Sequence, residues 1–104
     1  MLTVEWSKFA KADFLAILGY ISEENPAAAW RLKDEIELRI ETLPAYPRLY
    51  KMGREPGTRE MVVLPNYLVI YAESARCITI LRILHAAQQW PPVPGERPTP
   101  PDRS

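Results

Sequence analysis

Two arginines and the single histidine of this 104-residue chain, Arg59, Arg82 and His85, are the residues whose chemistry is easiest to name. They stand at the ends of apolar runs within the stretch Gly57–Trp90, where Val, Ile, Leu and Tyr dominate. Brought together, they would bind a phosphate or a carboxylate. They would equally serve metal-free RNA cleavage: a 2′-hydroxyl attacks, arginine neutralises the charge developing on phosphorus, and histidine moves a proton. A structural role is the other open reading. Arg59 would then pair with Glu60 or another acid, and His85 would cap the last strand. Residue parity alone does not bring three side chains to one point.

Arg48, Lys51 and Arg54 form a basic run with no acid before Glu55. It would touch phosphate or an acidic partner, or remain a solvated loop. A third group is aromatic: Trp6, Trp30, Tyr46, Tyr50, Tyr67, Tyr71 and Trp90. Tyr67 and Tyr71 share a strand face by parity and read as packing residues. Trp90 follows the last apolar run. It would cover the edge of the core or stand exposed as an anchor for a partner.

Other chemistries are absent from the pattern. One His and one Cys, Cys77, do not build a tetrahedral N/S metal site, and neither H-x-x-x-H nor C-x-x-C occurs. The four glycines form no phosphate-cradling loop, and there is no G-x-S-x-G elbow. The expectation is a protein with no metal and no cofactor. A single cysteine allows no internal disulfide and fits a reducing cytoplasm. Thirteen basic and thirteen acidic residues cancel, and the pI is near 6.6. Neutrality argues against affinity built on many phosphate contacts. No apolar run approaches the roughly 20 residues of a membrane helix. Met1–Trp6 lacks the basic leader and apolar core of a secretory signal, so a cytoplasmic protein is expected.

The elements that must position these residues follow from periodicity. Leu2 to Trp6 alternates and reads as a strand, and Ser7 as an N-cap. Ala10, Phe14, Ile17, Leu18 and Ile21 recur at three and four, predicting a helix over about 7–23. Asn25-Pro26 starts a second helix with the stripe Ala29, Leu32, Ile36, Ile40 and Leu43, and Pro44 stops it. Its other face is charged, with Glu35 and Arg39 in the favourable order four apart. Only Glu23–Asn25 separate the helices, so they should form an antiparallel hairpin. Residues 44–57, with three prolines and two glycines, read as loop. Strands are expected at about 58–64, 67–73 and 76–84, with turns at Pro65-Asn66 and Ser74-Ala75. The order β-α-α-β-β-β gives an α+β fold, a helical hairpin on one face of a four-stranded sheet. Strand order is not readable. The expected domain is 1–91. Residues 92–104 are rich in proline, have little to bury and read as a disordered or polyproline-like tail.

These residues also resemble a known family. The resemblance covers about residues 2–91. It is carried by the first strand, Tyr20-Ile21, Asn25-Pro26-Ala27-Ala28 with Leu32, Gly57-Thr58-Arg59-Glu60, Asn66-Tyr67-Leu68-Val69-Ile70-Tyr71, and Ile80-Leu81-Arg82-Ile83-Leu84-His85-Ala86-Ala87-Gln88-Gln89-Trp90-Pro91. The chain is similar to the RelE/ParE superfamily of toxins from type II toxin–antitoxin modules, and within it to the ParE branch. The resemblance implies a mostly antiparallel sheet and a growth-inhibiting, plasmid-stabilising toxin. Its partner would be a ParD-like or similar antitoxin that lays a helix and an extended segment on the toxin. ParE-like toxins act on DNA gyrase, without catalytic residues or sequence-specific DNA binding of their own. RelE-like toxins cut mRNA in the ribosomal A site. A shared fold does not separate the two. Neutral charge and the lack of any Tyr after Tyr71 favour the gyrase reading. Arg59, Arg82 and His85 resemble elements of some ribosome-dependent nucleases, which keeps RNA cleavage as the alternative. Under the gyrase reading Arg59, Arg82, His85 and Trp90 are candidates for contact with target or antitoxin. Under the nuclease reading the first three are catalytic.

Overall fold

The computed structural model describes residues 2–64 and 66–86. Pro65, Trp90 and the expected tail 92–104 lie outside them. The chain runs β1 (Thr3–Trp6), α1 (Lys8–Ser22), α2 (Pro26–Glu41), β2 (Lys51–Met52), β3 (Arg59–Val63), β4 (Tyr67–Glu73) and β5 (Cys77–His85). The strands form one sheet in the order β1-β5-β4-β3-β2. β1 runs parallel to β5, and every other pairing is antiparallel.

Both helices start where the capping residues place them. Ser7 Oγ accepts the Ala10 N–H at 3.0 Å, and Asn25 Oδ1 accepts the Ala28 N–H at 3.1 Å. Each bond satisfies a backbone donor that the first helical turn leaves unpaired. α2 ends at Glu41, three residues before Pro44. Its last turn tightens, with Thr42 N–H bonded to Arg39 O and Leu43 N–H to Ile40 O. Leu43 nevertheless completes the buried stripe.

The main core lies between the helical hairpin and one sheet face. It combines Ala10, Phe14, Ile17, Leu32, Ile36, Ile40 and Leu43 with Met61, Val63, Val69, Tyr71, Ile78, Ile80 and Ile83. Leu18 and Ile21 from the expected α1 stripe pack at its margin. Side chains alternate along a strand, so Leu68 and Ile70 point away from the helices. With Leu84 they make a second buried cluster on the outer face, flanked by Leu81.

The sheet has five strands, not four. Lys51–Met52, inside the expected loop, pairs with Glu60 and Arg59. Two residues carry no readable alternation. Glycines enable the hairpin: Gly57 takes φ +80, and a Cβ on Gly53 would collide with Thr58 Oγ1. A second irregularity interrupts β5. Tyr71 pairs with Ile80 and Ile70 with Arg82, leaving Leu81 as an extra residue.

Candidate functional site

The bulge at Leu81 decides where Arg82 goes. β1 stops pairing at Trp6–Ile80, so the β5 edge beyond that point needs other partners. The start of α1 supplies them. Ser7 Oγ donates to Leu81 O at 2.8 Å, and Asp13 Oδ2 accepts the Ile83 N–H at 3.0 Å. Arg82 then binds the same carboxylate with two bonds, Nε to Oδ2 at 2.7 Å and Nη2 to Oδ1 at 2.9 Å. Paired hydrogen bonds to a carboxylate hold a guanidinium in one orientation. The hydrogen bond to Asp13 outweighs burial and raises the Arg82 pKa above its usual value.

Arg59 and His85 lie elsewhere. Arg59 stands opposite Tyr71 on the core face and donates to Tyr50 O at 2.7 Å. Tyr71 is fully buried and donates its hydroxyl to Pro47 O at 2.8 Å. Arg59 and Tyr71 thus anchor the loop between α2 and β3. Burial pushes the Tyr71 pKa up to about 12, partly opposed by the Arg59 charge. His85 pairs with Tyr67 at the far end of β5, their rings meeting edge to face at 5.4 Å. Tyr67, raised in pKa by its own burial, packs against the core margin.

The sheet register therefore separates the three candidates. Arg59 shares a row with Tyr71, and His85 shares one with Tyr67, paired with Val63. Those rows are four residues apart on β3, about 13 Å at a strand's rise per residue. Met61 and Val69 of the core fill the space between. The expected pairing of Arg59 with Glu60 does not form: Glu60 is buried and accepts the Arg54 N–H at 3.0 Å, with Arg54 Nε at 3.9 Å. Arg48 of the basic run pairs with Glu73 at 3.2 Å, and Lys51 is exposed on β2.

Asp13 is the residue that sequence reasoning misses. Its signal is local: it lies between Ala10, Phe14 and Ile17 on the inward stripe of α1, where a carboxylate demands a partner. Its partner is 69 residues away, beyond the reach of helical periodicity.

Two hollows mark the surface near these elements. One, of about 360 Å³, runs between α1 and α2 and is lined by Leu15, Leu18, Ala29, Trp30 and Lys33, among others. Leu15 and Trp30 are more than half exposed. The other, about 310 Å³, is lined by Ser7, Phe9, Leu81 and Arg82. Among the described residues no group of three or more His, Cys, Asp or Glu is placed to hold a metal ion. No described helix is long and apolar enough to cross a membrane.

Comparison with known proteins fits this architecture. The family model described as the ParE toxin of the type II toxin–antitoxin system parDE matches residues 4–90. The putative toxin Y4kP of Sinorhizobium fredii is 33% identical over 90 residues, covering 86% of this chain and 94% of that protein. Toxin RelE2 of Caulobacter vibrioides is 34% identical over 88 residues, covering 85% and 99%. Among solved structures, the chromosomal ParDE system of P. aeruginosa matches with a TM-score of 0.73 at 21% identity, covering 82% of this chain and 96% of the other. A point mutant of YafQ from E. coli matches with a TM-score of 0.56 at 16% identity, covering 84% and 96%. The chain belongs to the ParE family of type II toxin–antitoxin toxins, within the wider RelE/ParE superfamily.

Proposed function

We infer that this toxin inhibits growth as a binding inhibitor of DNA gyrase and is held silent by a cognate antitoxin. One observation carries the reading. The residues suited to RNA cleavage are dispersed: Arg82 is bound to Asp13, and a packed core separates Arg59 from His85. General acid–base catalysis and charge stabilisation both need their groups within hydrogen-bond reach of one substrate. Binding to a protein needs no such convergence. Exposed apolar side chains at the helical groove, Leu15 and Trp30, and near the β3–β4 turn, Val62 and Leu64, suit contact with proteins. The antitoxin partner is supported by family membership and by the match to a ParDE system.

The test uses purified toxin with gyrase and, separately, with a programmed ribosome carrying a codon in the A site. Inhibition of supercoiling, reversed by antitoxin, is the expected result, with the mRNA left intact. Cleavage of that mRNA would instead assign the ribosome as target. His85→Ala and Arg82→Ala should then each slow cleavage by roughly 10²-fold or more. On the gyrase reading, both substitutions act only through contact or stability, and their effects follow gyrase affinity with no RNA cleavage.

A further inference from the structure

The outer side of β1 is a sheet edge with an unused set of hydrogen-bonding groups. β1 bonds to β5 through alternate residues: Thr3 N–H donates to Arg76 O at 3.1 Å and Ser7 N–H to Ile80 O at 2.9 Å. In a parallel ladder of this register, the backbone groups of Thr3, Glu5 and Ser7 face β5, and those of Val4 and Trp6 face away. β1 ends the strand order, and among the described residues no strand pairs with its outer side. Val4 and Trp6 therefore present their N–H and C=O groups outward at strand spacing. Their side chains pack at the margin of the main core. Glu5 between them points to the opposite face of the sheet. It is exposed and makes no ion pair with a described residue.

We propose that this edge takes an extended segment of a partner protein as a sixth strand, antiparallel to β1, with Lys or Arg between two apolar residues. A helix keeps its backbone bonds within itself, so outward groups at strand spacing call for an extended chain. Antiparallel pairing is the slightly more stable choice. The residues opposite Val4 and Trp6 then lie on the helix side of the sheet and continue the apolar margin of the core. The residue opposite Glu5 lies on the other face, where a basic side chain completes an oppositely charged cross-strand pair. A second copy of this chain fits poorly. The register that uses all of Val4–Trp6 in self-pairing sets Glu5 against Glu5, and like charges directly opposite are destabilising. The one charge on this edge thus turns away self-association and leaves pairing with a basic segment open. The inference does not rest on the gyrase reading.

Amide exchange and amide shifts, measured by NMR on the full chain, test it. In the protein alone the Glu5 N–H should exchange slowly and the Val4 and Trp6 N–H groups fast. The probe is a nine-residue peptide of alternating Thr and Val whose central Thr is replaced by Lys. A second peptide has Glu at that place. The Lys peptide should shift and protect the Val4 and Trp6 amides, and the Glu peptide should bind roughly 2- to 5-fold more weakly. Glu5→Lys should reverse that order. Val4→Pro removes an outward N–H, a change that edge strands accept. It should weaken the Lys peptide about 5-fold or more while the Glu5 amide stays protected. The charge reversal stands if Val4→Pro fails to fold. Shifts confined to other elements would overturn the proposal, as would equal binding of both peptides to wild type and Glu5→Lys. Protection of Val4 and Trp6 in the free monomer would also overturn it, because the edge would already be covered. Protection that grows with protein concentration alone would give the edge to a second copy and refute the proposal equally.

Discussion

The Asp13 carboxylate binds the Arg82 guanidinium through both oxygens and also accepts the Ile83 N–H, 2.7–3.0 Å in each case. One side chain of α1 thereby fixes both the direction of a β5 side chain and the backbone bond next to its bulge. Asp13→Ala should destabilise the protein by roughly 1.5–3 kcal/mol, since hydrogen bonds to charged groups are lost and a part-buried arginine loses its carboxylate. Arg82→Ala should cost less, because Asp13 keeps the Ile83 bond. A double-mutant cycle measured by urea unfolding should give a coupling energy well above that of an exposed pair such as Lys33–Glu37. Additive single effects would show that the pair does not cooperate.

Ile36 is fully buried at the centre of the α2 stripe. Ile36→Ala should cost about 2–5 kcal/mol through lost burial and the cavity left behind. The check is the shift in urea midpoint at constant m-value. An unchanged midpoint would mean that Ile36 does not face the core.

Tyr71 sets an alkaline limit. Its pKa is raised in the fold to about 12 from the usual 10. The unfolded chain therefore loses that proton first as pH rises. The stabilisation is complete below pH 10 and disappears between about pH 10 and 12, for a total of roughly 2–3 kcal/mol. Tyr71→Phe has no hydroxyl to ionise and loses the bond to Pro47. It should be less stable than wild type at pH 9 and should show a smaller further loss at pH 11. Parallel losses in both proteins would assign the alkaline transition to other groups.

Leu64 holds φ at +52, the left-handed region, with its side chain 46% exposed. That conformation costs a leucine about 1–2 kcal/mol, whereas Asn and Gly tolerate it. Leu64→Asn should raise the melting temperature and leave the fold unchanged. A fall would show that packing of the leucine exceeds the strain.

Local pattern carries the helices almost to the residue, because capping and a 3.6-residue stripe are written within one element. Ser7, Asn25 and the buried positions of α2 are the clearest cases. The features that position the candidate site are not local. The β2 pairing rests on two residues, the β5 bulge leaves no mark in the alternation, and parallel pairing of β1 with β5 joins segments more than 70 residues apart. Arg59, Arg82 and His85 are legible as reactive types. Their separation is not, because it depends on register and on a carboxylate supplied by α1.

Pairing of β1 with β5 also bears on how the toxin is made. Thr3–Trp6 has no sheet partner until Cys77–Ile80 exists, and Asp13 waits for Arg82. A nascent chain emerging at about 5–20 residues per second therefore holds its first strand and helices without a finished sheet until β5 has been synthesised. The ribosome must release the last strand before the sheet and the Asp13–Arg82 pair can form.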